Sequence, residues 1–265
     1  MSSTYLLISL IVVIALVFDY TNGFHDAANA IATSVASKAL TPRVALIIAA
    51  VGNLVGAFLS EGVAKTVGKG IIDVKQTTHG LYVVLAALIG AIIWNLTTWW
   101  FGLPSSSSHA LIGGLVGSAI ASSDTVKWPG VIEKVVKPMI ISPLLGFSAA
   151  FALTLALQSI FKNSKRSALS PKFKIAQSIS AAAMAVGHGL QDAQKTMGII
   201  TLALVIGGLH SGDSIPNWVK VAAALAIAAG TYAGGWRIMK TLGHRMIEVD
   251  QIRGVASSTV ASTIL

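Results

Sequence analysis

Four polar residues interrupt an apolar stretch near the start of the chain. In YTNGFHDAANAIAT, residues 20–33, Asn22, His25, Asp26 and Asn29 sit between hydrophobic runs. Asp26 and Asn29 lie three residues apart, so they share a helix face and offer an anionic and an amide oxygen to a hard cation or a proton. His25 could relay protons, and a neutral ring bonded to a nearby carbonyl is the plainer reading. A second run, AVGHGLQDAQKTMGIIT over 185–201, follows the same plan, with Asp192 aligned to Asp26 and Gly189 to Gly23. The two copies then diverge: Asn29 of the first is Lys195 in the second. An ammonium beside Asp192 repels a cation and can pair with the carboxylate. Lys195 lies ~21 Å along a helix from Leu209, too far to reach a membrane surface. That asymmetry points to H+ rather than Na+ as the ion handled here. Direct contact of Lys195 with an anion is the alternative.

A third cluster is GLPSSSSHALIGGLVG, residues 102–117. Leu103-Pro104 forces a bend, and Ser105, Ser106, Ser107 and Ser108 then open an apolar helix. Hydroxyls combined with the free N–H groups of a helix N-terminus suit a phosphate-like oxyanion. Simple capping needs one hydroxyl, and four exceed it. Gly113, Gly114 and Gly117 should let another helix approach closely.

The elements that position these residues must be membrane helices. Of 265 residues, 54% are hydrophobic and only 11% charged, and the mean hydropathy is +0.75. A soluble domain needs more charge to cover its surface. Apolar stretches recur at 5–20, 43–60, 80–101, 139–161, 175–209 and 216–236, which predicts an all-α polytopic membrane protein. A continuous helix over 5–37 would be about 50 Å long, so Asn22-Gly23 reads as a break near mid-membrane. The first run lacks a basic leader and a small-residue cleavage site, and reads as a helix of the mature protein.

The net charge of +9 is read as topological, not as a nucleic-acid footprint. FKNSKRSALSPKFK carries Lys162, Lys165, Arg166, Lys172 and Lys174 with no acid, so the 162–174 loop is placed in the cytoplasm. The stretch 237–253 falls on the same side, and the loops near 61–79 and 122–138 outside. The absence of cysteine excludes thiolate and disulfide chemistry.

With that topology the two copies run in opposite directions, giving two inverted repeats: 1–161, then the basic loop 162–174, then 175–265. The serine cluster follows the first copy by roughly 80 residues, and the same spacing from Asp192 runs past Leu265. The second repeat is therefore expected to be incomplete in this chain.

NGFHDAANAIAT, GLPSSSSHALIGG and GHGLQDAQKTMG, in this order, resemble the signatures of the inorganic phosphate transporter (PiT) family over the length of the chain. The resemblance implies two inverted repeats with broken helices and a re-entrant helical hairpin. It also implies inward transport of inorganic phosphate with sodium or protons, for which alternating access is the expected mechanism. Position by position, Asp26, Asn29 and Asp192 match the coupling-ion motif, and would be metal ligands if Na+ is the ion. Ser106, Ser107, Ser108 and His109 match the hairpin, with serines where threonines are common. Joined to the residue reading, the phosphate site comprises Ser105, Ser106, Ser107, Ser108, Gln194 and Lys195, with His25 and His109 as proton relays. No cofactor is expected beyond the coupling ion. The expected partners are phosphate, free or as a metal–phosphate complex, the lipid bilayer of the cell membrane, and a second copy in a homodimer.

Three rival classes carry less. His25-Asp26 resembles half of a phosphohydrolase metal site, but further ligands and a Gly-x-Ser-x-Gly elbow are missing, so no enzyme is expected. A channel would show symmetric rings or filters instead of an internal duplication. A sulfate permease of the same fold is separated by protonation, because phosphate can donate a hydrogen bond near neutral pH and sulfate cannot.

Overall fold

The computed structural model describes residues 2–60, 62, 64, 70–163, 166–212, 214–234 and 250–264, with the side chains of 2, 27–29, 166–169, 234 and 251 outside the description. Eight helices account for most of the described chain. They are α1 (Ser2–Ala36), α2 (Pro42–Gly56), α3 (Thr78–Phe101), α4 (Ser107–Ala121), α5 (Trp128–Phe161), α6 (Arg166–Ile206), α7 (Asn217–Gly234) and α8 (Gln251–Ile264). Within α5 one turn, Ile132–Val136, is a wider π-helix.

The break expected at Asn22-Gly23 is absent. α1 runs uninterrupted for 35 residues and α6 for 41, about 52 and 61 Å at ~1.5 Å per residue. Breaking a buried helix frees backbone groups that lipid cannot satisfy, whereas a mid-helix glycine costs only about 1 kcal/mol. The glycine serves a neighbour instead. A Cβ on Gly23 would lie 2.3 Å from the Ile227 carbonyl oxygen of α7, and one on Gly230 would lie 2.0 Å from that of Tyr20. The same pair of contacts recurs between α6 and α2: Gly189 meets the Asn53 carbonyl at 2.2 Å and Gly56 meets that of Val186 at 2.0 Å. Backbone packs on backbone at both interfaces.

These four helices form the centre of the molecule, with α1 against α7 and α6, and α2 against α6 and α7. Ile11, Phe18, Met197, Ile200 and Ile227 fill the space between them. The α3–α4 hairpin packs on α1, while α8 lies on α6 and α5 on α8.

The turn between α3 and α4 is built from sequence-specific parts. Gly102 ends α3 in a left-handed conformation, φ 66°, and Leu103 N–H returns to the Thr98 carbonyl at 2.8 Å. Pro104 then prevents further helix, and Ser106 caps α4 by accepting from His109 N–H at 3.3 Å. Of the three glycines expected to allow a close approach, only Gly114 does so, 2.5 Å from the Ala87 carbonyl oxygen. Gly113 and Gly117 face open space. A feature not read from the sequence closes the hairpin's base: β1 (Ile72–Asp73) pairs antiparallel with β2 (Thr125–Val126), Ile72 opposite Val126.

Among the described residues, the stretches Ser3–Ala36, Thr78–Phe101 and Trp128–Phe161 are long and apolar enough to cross a bilayer. α5 buries nothing along Lys137–Phe161 and exposes Leu144, Phe147, Phe151 and Ile160. Such a face suits lipid and not water.

Candidate functional site

The two aspartates of the duplicated motif meet between α1 and α6. Asp26 and Asp192 are both nearly buried, and with His188 they present ligand atoms all within 4.8 Å of one another. Asn22 bridges them: with its amide nitrogen turned toward the carboxylates it lies 2.9 Å from Asp26 Oδ2 and 3.3 Å from Asp192 Oδ2. Asn22 and His188 each precede an aspartate by one helical turn on the same face, so each stands near both carboxylates. Along the α1–α6 seam Asn22 meets Asp192, and Asp26 meets His188. The order is that of antiparallel helices.

Each carboxylate then gathers its own donors. Asp26 Oδ2 accepts from Ser107 Oγ at 2.8 Å, and Asp26 Oδ1 lies 3.0 Å from His25 Nδ1. The other ring nitrogen of His25 is 2.9 Å from Thr98 Oγ1 and 3.3 Å from Ser105 Oγ. With Nδ1 donating to Asp26, Nε2 can accept only from Ser105, because Thr98 Oγ1 gives its own proton to the Trp94 carbonyl at 2.9 Å. Its partners are side chains, not the expected backbone carbonyl. On the other side, Asp192 Oδ1 takes the Lys195 ammonium and Oδ2 lies 2.8 Å from His188 Nε2. His188 Nδ1 is 2.9 Å from Asn53 Oδ1, and Asn53 donates to Thr231 Oγ1 at 2.7 Å. That chain ties the second aspartate to α2 and α7.

No two of the four serines share a partner. Ser105 faces His25 and Thr98, Ser106 caps α4, Ser107 holds Asp26, and Ser108 accepts from Lys195. A cavity of about 540 Å³ opens beside them, lined by Asp26, Ala30, Pro104, Ser105, Ser106, Ser108, Met184, His188, Gln191 and Asp192. Hydroxyls and the start of a helix thus line the cavity beside paired carboxylates, while the Lys195 ammonium, bonded to Ser108 and Asp192, is not part of the lining. The arrangement can hold an oxyanion and a cation together.

Several expected residues fall elsewhere. Ser107 is fully buried and committed to Asp26, not open to the cavity. Gln194 is fully buried and is absent from the lining, where Gln191 stands. The cavity face of α6 carries 188, 191 and 192, and position 194 is more than half a helical turn away from Asp192. His109 is exposed at the start of α4, outside the cluster, with its backbone N–H used in the cap. Lys195 is nearly buried and does not reach a surface. The side chain of Asn29 lies outside the described residues.

His188 and Gln191 were not singled out from the sequence, and Asn22 was marked there as an intruding polar residue and a break, not as a partner of both carboxylates. The usable signal was helical phase: Asn22 and His188 stand four residues before Asp26 and Asp192, on the same face.

Comparison with known proteins bears on the whole arrangement. A family model described as "Phosphate transporter family" matches residues 22–265. A protein of Bacillus subtilis (strain 168), "Probable low-affinity inorganic phosphate transporter", is 47% identical over 259 residues, covering 97% of this chain and 78% of that protein. A protein of Mycobacterium leprae (strain TN) with the same description is 47% identical over 98% of this chain, which spans 63% of its length. A solved structure titled "The sodium-dependent phosphate transporter" shares the fold, with a TM-score of 0.83 at 20% identity over 97% of this chain and 83% of that one. With the family model matched across both copies of the motif and the hairpin between them, the chain belongs to the phosphate transporter family.

Proposed function

We propose that the protein imports inorganic phosphate across the cell membrane by cation symport, with protons rather than sodium as the coupling ion. The observation that carries this reading is the single cavity shared by the serine hairpin and the paired aspartates. Phosphate enters it against Ser105, Ser106 and Ser108, with the Lys195 ammonium beside Ser108. His25 keeps Asp26 oriented and Asn22 spans the two carboxylates.

Charge explains why transport must be coupled. Asp26 and Asp192 carry two negative charges against one ammonium from Lys195, so with neutral imidazoles the cluster is already anionic. Adding a phosphate anion to a site screened from water costs several kcal/mol unless a cation enters with it. Lys195 occupies one of the two Asp192 oxygens and sets its positive charge against any metal ion at the other. When phosphate draws the ammonium toward itself, Asp192 becomes the place for an incoming proton, with His188 beside it at 2.8 Å. Neutralisation then permits the occupied site to change its access from outside to inside.

Two inverted repeats are the frame for that change. The reading is supported by the paired glycine interfaces: Tyr20 and Gly23 of α1 correspond to Val186 and Gly189 of α6, and Asn53 and Gly56 of α2 to Ile227 and Gly230 of α7. The hairpin α3–α4 is read as re-entrant because β1 and β2 hold its two legs on one side of the molecule. The basic segment 162–174 was expected as a loop, but residues from Arg166 onward already belong to α6; we place the segment in the cytoplasm from its lysines and arginine.

One observation favours sodium: the ligand atoms of Asp26, His188 and Asp192, all within 4.8 Å, form a cation-sized cluster. Radiolabelled phosphate uptake into liposomes, with sodium and proton gradients varied separately, decides between the ions. Uptake that needs sodium at constant pH and ignores the proton gradient overturns proton coupling. Uptake under neither gradient, or equal competition by sulfate, overturns phosphate symport itself.

A further inference from the structure

Two turns before Asp26, the same face of α1 carries a carboxylate that the cavity does not use. Asp19 is completely buried, and neither of its oxygens has a hydrogen-bond partner. It stands beside Thr196 of α6, also completely buried, whose hydroxyl is likewise without a partner. The charges acting on it are Asp192 and Lys195 of α6. The other helices touching α1 carry Arg43, His79, His109, Lys220 and Arg253, and none of these is among the charges acting on Asp19.

We propose that Asp19 is a second proton-binding site, distinct from the Asp26–Asp192 cluster, whose occupancy decides where the Lys195 ammonium rests. An ionised carboxylate buried with a single hydroxyl as its near donor costs several kcal/mol. A metal ion would need a shell of oxygens, whereas this place offers one carboxylate and one hydroxyl. A proton needs a single acceptor. Protonated, Asp19 can donate to Thr196 Oγ1, which satisfies two polar groups at once. Asp19 is then neutral, and Lys195 stays with Asp192 and Ser108, available to phosphate. When the proton leaves, a bare negative charge appears on the far side of Lys195 and draws the ammonium away from the cavity, which loosens phosphate. The proton passes between the carboxylate and water; no other bond changes.

The inference rests on the proton-symport reading for its role in transport, but the protonation itself is testable alone. In lipid vesicles, infrared difference spectra between acid and alkaline pH should show the carbonyl band of a protonated carboxylic acid. That band is expected to vanish in Asp19→Asn and to shift in Asp19→Glu. In the same vesicles Asp19→Asn should lower the ratio of proton-driven phosphate uptake to phosphate exchange by about tenfold, and Asp19→Glu should restore most of it. A band unchanged in both variants, or an unchanged flux ratio in Asp19→Asn, overturns the proposal. If wild-type uptake proves to be sodium-driven, the symport reading fails, while loss of the band in Asp19→Asn still identifies Asp19 as a proton site.

Discussion

At the scale of single residues, the sequence contrast between Asn29 and Lys195 is where the proposed choice of coupling ion can be tested. Lys195 is tied to Asp192 and Ser108, so the second aspartate carries an internal cation where the first is held by Asn22, Ser107 and His25. Replacing Lys195 by Asn restores an amide oxygen and removes the ammonium, and phosphate uptake is expected to gain sodium stimulation, read in liposomes at constant pH. Asp26→Asn leaves Ser107 and His25 in place but removes the charge they serve. Coupled uptake should then fall to background, with the protein still inserted and extractable as a folded monodisperse species. Ser107→Ala removes one of the two donors to Asp26 Oδ2 and leaves Asn22 alone there, a cost of about 1.5–3 kcal/mol, and is expected to reduce uptake about tenfold or more. Asp26, Asp192, Lys195 and the serine run were legible because polar types in an apolar helix announce themselves. His188 was not, and Asn22 was noticed only as a polar interruption, since its bridging role depends on the opposite helix. Gln194 was a phase error, as the cavity face passes through Gln191.

At the scale of elements, the same glycine was read correctly as special and wrongly as a break. A sequence shows that Gly23 lacks a side chain but not what comes against it. The carbonyl of Ile227 comes within 2.3 Å of where a Cβ would stand, so the residue allows contact between α1 and α7 while the helix continues. Gly23→Val forces two backbones apart, and a loss of thermal stability in detergent of at least several degrees is expected, since overpacking of this kind costs about 1–3 kcal/mol or more. Gly113 provides the counter-example. Open space surrounds it, so Gly113→Ala should leave stability unchanged or raise it slightly, by up to about 1 kcal/mol from helix propensity. Helix positions followed from hydropathy, because α2, α3, α5 and α7 fall where the apolar runs lie. The lengths of α1 and α6 did not follow, because polar residues on their shared seam lowered the apparent continuity of helix.

At the scale of the molecule, orientation and motion come forward. The absence of cysteine makes the chain a clean background for single-cysteine labelling. Asn163→Cys, beside the basic loop, should react with membrane-impermeant maleimide only in inside-out vesicles. Thr77→Cys, at the base of the hairpin, should react only from the outside; the reverse pattern would overturn the proposed topology. The two-residue pairing of β1 with β2 could not be read from sequence, being too short to leave a periodic trace, yet it has a mechanical consequence. Because Ile72 and Val126 fasten the feet of α3 and α4 together, any tilt of the hairpin would carry both helices about a common base. With an arm of about 36 Å along α3, a tilt of roughly 2° at that base shifts the serine tip by about 1 Å. A change too small to register in the outer loops is thus enough to make or break the hydroxyl contacts that hold Asp26.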